Sequence, residues 1–215
     1  MDKETLVDQL KQKLDLQVYV DQALADETVL PLLFAIIETD RSAIKFLCEK
    51  VIRQLSQSHP ELLYPYFERI SSLMDSDNNF IKWGFILTLP NLLKVDVQNK
   101  WDVVSKHYLS FLGSDSLVTF GNAVSGVPKI LAAHPQHEQE IVSKLLDIDQ
   151  HTFLHKGMVS PECLNVAKGH IIDCFTRIVP TAQYEQPILA FVRANLDNSR
   201  KQVREKAKRF LKGKE

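Results

Sequence analysis

Apolar residues return every three or four positions along most of the chain, and short polar stretches break the pattern at intervals. Residues 186–211, QPILAFVRANLDNSRKQVREKAKRFL, show the form, with one break at Leu196-Asp197-Asn198-Ser199. Beyond that break Val203, Ala207, Phe210 and Leu211 fall at i, i+4, i+7 and i+8, which predicts a helix with one apolar face. Ser160-Pro161-Glu162 predicts a helix start: a hydroxyl to cap, a proline where no N–H is needed, and an acid for the dipole. Pro60 and Pro135 mark further starts in the same way.

The pattern repeats itself. Residues 65–75 and 187–197 both run from proline to aspartate, with apolar residues after the proline and before the aspartate. An apolar–basic pair follows each turn, Ile81-Lys82 in one copy and Val203-Arg204 in the other. Residues 31–40, followed by Ile44-Lys45, form a third copy with a tighter turn. Leu89-Pro90-Asn91-Leu92-Leu93 reappears as Val127-Pro128-Lys129-Ile130-Leu131 and reveals a fourth. The expected organisation is a helical cap at 1–28 and repeats at 29–60, 61–98, 99–135, 136–180 and 181–215. A period of roughly 35–45 residues predicts an all-α superhelix, a right-handed stack of about five helix pairs. Asp75-Ser76-Asp77-Asn78 and Asp197-Asn198-Ser199 are expected to turn the chain and cap each second helix. Residues 151–157 interrupt the fourth repeat as a loop, and Pro90 and Pro128 are expected to bend second helices. Gly84, Gly121, Gly126 and Gly169 read as points of close helix approach.

These units resemble HEAT repeats of the armadillo-like α-solenoid class, over residues 29–215. The match is carried by Pro31, Pro65 and Pro187, by Asp75 and Asp197, and by Ile81-Lys82 and Val203-Arg204. Val103 stands where the third unit would have its proline, and the 151–157 insert departs from the pattern. The resemblance implies a binding scaffold that takes a protein or peptide on the face formed by its second helices. It singles out Lys45, Lys82 and Arg204, the basic position after each turn, as contact residues or as ties within the turns. It also brings an alternative, since one HEAT-like branch comprises DNA glycosylases with a basic groove, aromatic residues and an acid. Trp83 and Trp101 are the stacking candidates there, although both sit in apolar helical registers that favour packing.

Composition adds mostly exclusions. Hydrophobic residues make up 45%, charged residues 25%, and the net charge is −1, so no global field commits the chain to nucleic acid or to a membrane. No apolar run is long enough for a membrane span. Three cysteines, Cys48, Cys163 and Cys174, lie in apolar helical patterns without close pairing, and the N-terminus lacks the layout of a signal peptide. A reducing, cytoplasmic setting is the expectation. No Gly-rich phosphate loop and no Gly-x-Ser-x-Gly elbow occurs, and no catalytic residue or cofactor is expected. The histidines His134, His137, His151, His155 and His170 are expected at the surface rather than on a metal. His137-Glu138 is the one His-Glu pair, so the repeated pairs of the iron-carrying HEAT-like enzymes are missing. Charge is segregated instead: residues 1–40 hold nine acids and three bases, residues 198–215 eight bases and two acids. Lys201, Lys208 and Lys212 are therefore further binding candidates, for an acidic protein surface or a nucleic-acid backbone.

Overall fold

The computed structural model describes residues 1–213 and divides into two compact units, Met1–Lys100 and the chain from Trp101 onward. In the first unit, α1 (Lys3–Lys11) starts where the Asp2 carboxylate accepts from the Thr5 amide, and α2 (Leu16–Ala25) where Asp15 accepts from the Gln17 amide. Next come α3 (Val29–Thr39) and α4 (Ile44–Ser58), which pack together. α3 is apolar almost all round and buries Leu33, Phe34 and Ile36. α4 is amphipathic and buries Cys48, Val51, Ile52 and Leu55. The stretch expected as one helix around Pro65 is instead α5 (Pro60–Leu63), a 3-10 turn at Tyr64–Tyr66, and α6 (Phe67–Leu73). Proline has no N–H for the α-helical ladder, and here the chain answers by tightening for one turn.

α7 (Asn79–Thr88) starts at Asn78, whose side chain accepts from the amides of Phe80 and Ile81. Asn78 thus provides the cap expected from the 75–78 turn. Pro90 does not bend a continuous α-helix as expected. α7 ends at Thr88, and Leu89–Val95 continues as a 3-10 helix. Asn91 braces that change, donating from Nδ2 to the Ser56 hydroxyl at 2.7 Å and to the Leu87 carbonyl at 3.3 Å. α7 packs directly on α4, so the second helices of this unit lie side by side.

The second unit begins with α8 (Trp101–Ser110), a 3-10 turn at Phe111–Gly113, and α9 (Leu117–Ala133). Here Pro128 does stay inside the α-helix. A 3-10 turn at Pro135–His137 leads into α10 (Glu138–Leu146). The interrupting segment is a small hairpin rather than a loop: β1 (Leu154–His155) pairs antiparallel with β2 (Met158–Val159). Lys156 and Gly157 both take positive φ, 52° and 78°, the geometry of the tight turns that match strand twist. Phe153 anchors the hairpin in the core, 5.1 Å from the Phe120 ring and 4.5 Å from His151.

α11 (Pro161–Phe175) opens as the sequence predicts, with the Ser160 hydroxyl accepting from the Cys163 amide. α12 (Ala182–Ala194) carries Pro187, and after a 3-10 turn at Asn195–Asp197 comes α13 (Lys201–Lys212). α11 packs on α9 and on α13. The core of this unit gathers Trp101, Tyr108, Phe120, Val124, Ile171 and Val192. Among the described residues no helix is long and apolar enough to cross a membrane.

Candidate functional site

Second helices α4 and α7 leave a groove of about 420 Å³ between them, lined by Phe46, Glu49, Lys50, Arg53, Phe80, Trp83, Gly84 and Leu87. Helical spacing puts them there. On α4, Phe46, Lys50 and Arg53 fall at i, i+4 and i+7; on α7, Phe80, Trp83 and Leu87 fall at i, i+3 and i+7. The opposite side of α7 holds Ile81, Phe85 and Ile86 in the core. α7 is therefore apolar on two sides, and one of them faces outward.

The aromatic rings interlock edge to face, Phe46 with Phe80 at 5.7 Å and Phe80 with Trp83 at 5.6 Å. Phe80 is 67% exposed, far more than a ring that only completes the core. Exposed phenylalanine beside half-buried phenylalanine, tryptophan and leucine is an apolar surface of the kind that marks a binding groove.

The floor is polar at one point. Glu49 is buried, its Oε1 accepting from the Arg53 Nε at 2.8 Å. Burial raises its pKa above the ordinary carboxylate value, and the Arg53 charge counters part of that rise. Gly84 makes the arrangement possible, because a Cβ there would overlap the Glu49 carboxylate. The same device recurs in the second unit. A Cβ on Gly121 of α9 would meet the His170 ring at 3.2 Å, and one on Gly169 of α11 would meet Val203 at 3.3 Å. Close approach is thus the reason for these three glycines, and the space each leaves is taken by a side chain of a neighbouring second helix. Gly126 is buried within α9.

The basic residues singled out from the sequence fall in different settings. Lys45 is half-buried on α4, its Nζ 5.5 Å from the Phe46 ring. Lys82 is half-buried on α7, next to Trp83. Arg204 donates from Nη1 to the carbonyls of Asn198 and Ser199, at 2.7 and 2.9 Å, so it ties its own turn through the backbone. Lys201, Lys208 and Lys212 are exposed on α13, and Lys208 reaches Glu205 at 3.3 Å. Arg177, Lys206 and Arg209 surround Asp173 in a second hollow between α11 and α13, with Lys206 paired to Asp173 at 2.5 Å.

Sequence reasoning missed Phe46, Glu49, Arg53, Phe80 and Leu87. The available signal was α7 itself, whose apolar positions exceed what one buried face requires. The two tryptophans separate: Trp83 lines the groove, whereas Trp101 is fully buried. Trp101 stacks on His134 at 5.8 Å and donates from Nε1 to the His137 Nε2 at 3.2 Å. His151 meets the Ser114 carbonyl at 2.9 Å, and Asp149 pairs with Lys168 at 2.5 Å. Among the described residues no group of three or more histidine, cysteine, aspartate or glutamate side chains is placed to hold a metal ion. Cys48 and Cys174 are buried, and burial pushes both thiols up to about 12, which makes them small apolar residues rather than nucleophiles.

No protein-family model matches the sequence, and no curated protein does. Solved structures do match. A designed armadillo repeat protein in complex with the peptide (KR)4 superposes with a TM-score of 0.62 at 14% identity, over 98% of this chain and 93% of that one. A second designed armadillo repeat protein gives a TM-score of 0.55 at 15% identity, over 89% and 84%. Helix pairs in sequence, second helices side by side and these superpositions identify the fold as an all-α solenoid of the armadillo/HEAT-like helical-repeat class.

Proposed function

We propose that the chain is a non-catalytic binding scaffold that takes a peptide segment of a partner protein on its second helices, with the groove of α4 and α7 as the principal seat. The observation that carries this reading is Phe80, an aromatic residue two-thirds in water at the lip of an apolar groove. Seating a large apolar side chain against Phe46, Phe80, Trp83 and Leu87 is worth about 2 kcal/mol, or roughly thirtyfold in affinity. Lys45 sits beside this seat, its Nζ 5.5 Å from the Phe46 ring, whereas Lys82, two residues after Phe80, lies round α7 from it, and Arg204 acts as a brace for its turn. Support also comes from the fold, since a solenoid of the same class was solved with a bound peptide.

Peptides selected from a random display library against the intact chain should bind through this groove. Phe80→Ala should weaken them at least about tenfold. The exposed position of Phe80 means the variant should keep its melting temperature. Selected peptides that bind Phe80→Ala and Leu87→Ala as tightly as the parent would remove the groove from the mechanism.

A further inference from the structure

The groove has a charge as well as a shape, and the charge runs against that of its surroundings. Residues 1–100 hold fifteen acids and eleven bases, so the first unit is acidic. At the groove the balance reverses, with Lys45, Lys50 and Arg53 against Glu49. Glu49 and Arg53 largely cancel, the buried carboxylate being engaged by the Arg53 Nε, so the excess positive charge rests on Lys50 and Lys45. Lys50 is exposed at the rim, and the Arg53 side chain remains 32% exposed above the ion pair. An apolar floor with a cationic rim on an otherwise acidic body selects by sign as well as by shape.

Resting on the peptide-binding reading, we infer that the groove accepts a segment in which a large apolar anchor, aromatic or aliphatic, is flanked by aspartate or glutamate. The anchor enters between Phe80, Trp83 and Leu87, and the flanking carboxylates meet Lys50 and Arg53. A lysine- or arginine-rich segment is repelled at the same rim. Free polyanions such as nucleic acid satisfy the rim but leave the apolar floor empty, so they bind less well than the anchored peptide.

The test uses the intact chain and three fluorescein-labelled peptides followed by anisotropy. One has a Phe-Leu pair between glutamates, the second replaces every glutamate with lysine, and the third keeps the glutamates but replaces the Phe-Leu pair with serines. The acidic anchored peptide should bind at least roughly fivefold tighter than its lysine twin, since two rim contacts each contribute a small factor. That gap should narrow as salt rises, and Lys50→Glu should close it. Circular dichroism of Lys50→Glu should match the parent, as befits an exposed position, and Lys45→Glu, beside the Phe46 ring on the same helix, provides a second charge variant. Equal or tighter binding of the lysine peptide would overturn the charge inference and leave the peptide-binding reading standing. Equal binding of the serine peptide would overturn the anchor in favour of a simple polyanion site. Failure of all three peptides, with the display selection also empty, would remove both readings together.

Discussion

Gly84 on α7 lies against the carboxylate of Glu49 on α4, so close that a single added methyl group would overlap it. The two helices therefore meet through a side chain received into a missing one. Gly84→Ala must push aside a buried, ion-paired carboxylate, and overpacking of this kind costs about 1–3 kcal/mol. Urea unfolding should show that loss, and in a Glu49→Ala background most of it should disappear. A Gly84→Ala penalty that is unchanged when Glu49 is truncated would mean the cost comes from elsewhere.

Glu49 also predicts a pH dependence. Its pKa is raised, mainly by burial, above the ordinary value of 4.5, so the folded state holds a proton that the unfolded chain releases. The stabilisation from that proton is fully present below 4.5 and is lost as pH rises through the folded-state value. Glu49→Gln keeps the shape without the charge and should be at least as stable as the parent at neutral pH. The stability difference between the two should shift toward the parent as pH falls through this window. A difference that is flat across the acid range would show that Arg53 fully compensates the buried charge.

Asn91 donates to Ser56 and to the Leu87 carbonyl where α7 gives way to the 3-10 stretch. Both side chains are buried. Asn91→Leu should destabilise by about 1–3 kcal/mol, because the Ser56 hydroxyl and a carbonyl lose their donor. Chemical denaturation of the single and double variants with Ser56→Ala measures the coupling. Additive losses would show that the bond contributes nothing of its own.

The exposed lysines of α13, Lys201, Lys208 and Lys212, keep the nucleic-acid alternative testable. Their apolar counterparts Val203, Ala207 and Phe210 are buried, which accounts for the helix without any ligand. A gel shift with DNA and RNA at low salt should show no retardation that exchanging the three lysines for glutamine abolishes. Retardation lost in that variant would establish a nucleic-acid surface there.

How far the sequence carried depended on which interactions are local. Helix starts such as Ser160 were legible because a cap is written within four residues, and the solenoid class because like units bury like faces. Pro90 and Pro128 occupy matching positions in the sequence, yet one sits in a 3-10 stretch and the other in an α-helix. Around Pro90 a buried side chain from another helix, Ser56, meets Asn91, and nothing in the local pattern announces that partner. The hairpin at 154–159, where residues 151–157 read as a loop, was missed for a related reason: its strands are two residues long and Phe153 holds it from outside the local pattern. The groove was hidden in plain composition. Phe46, Phe80 and Leu87 look like core residues until their angular positions are set against the neighbours that α4 and α7 actually have.

An aromatic ring left mostly in water has a consequence for how the protein behaves before it meets anything. The empty form is the adhesive one: at high concentration Phe80 and its neighbours will find other greasy surfaces, including those of sister molecules. Solubility should therefore improve when the groove is filled. If the groove takes a partner as proposed, the supply of that partner would govern how much of the protein stays dispersed in a cell.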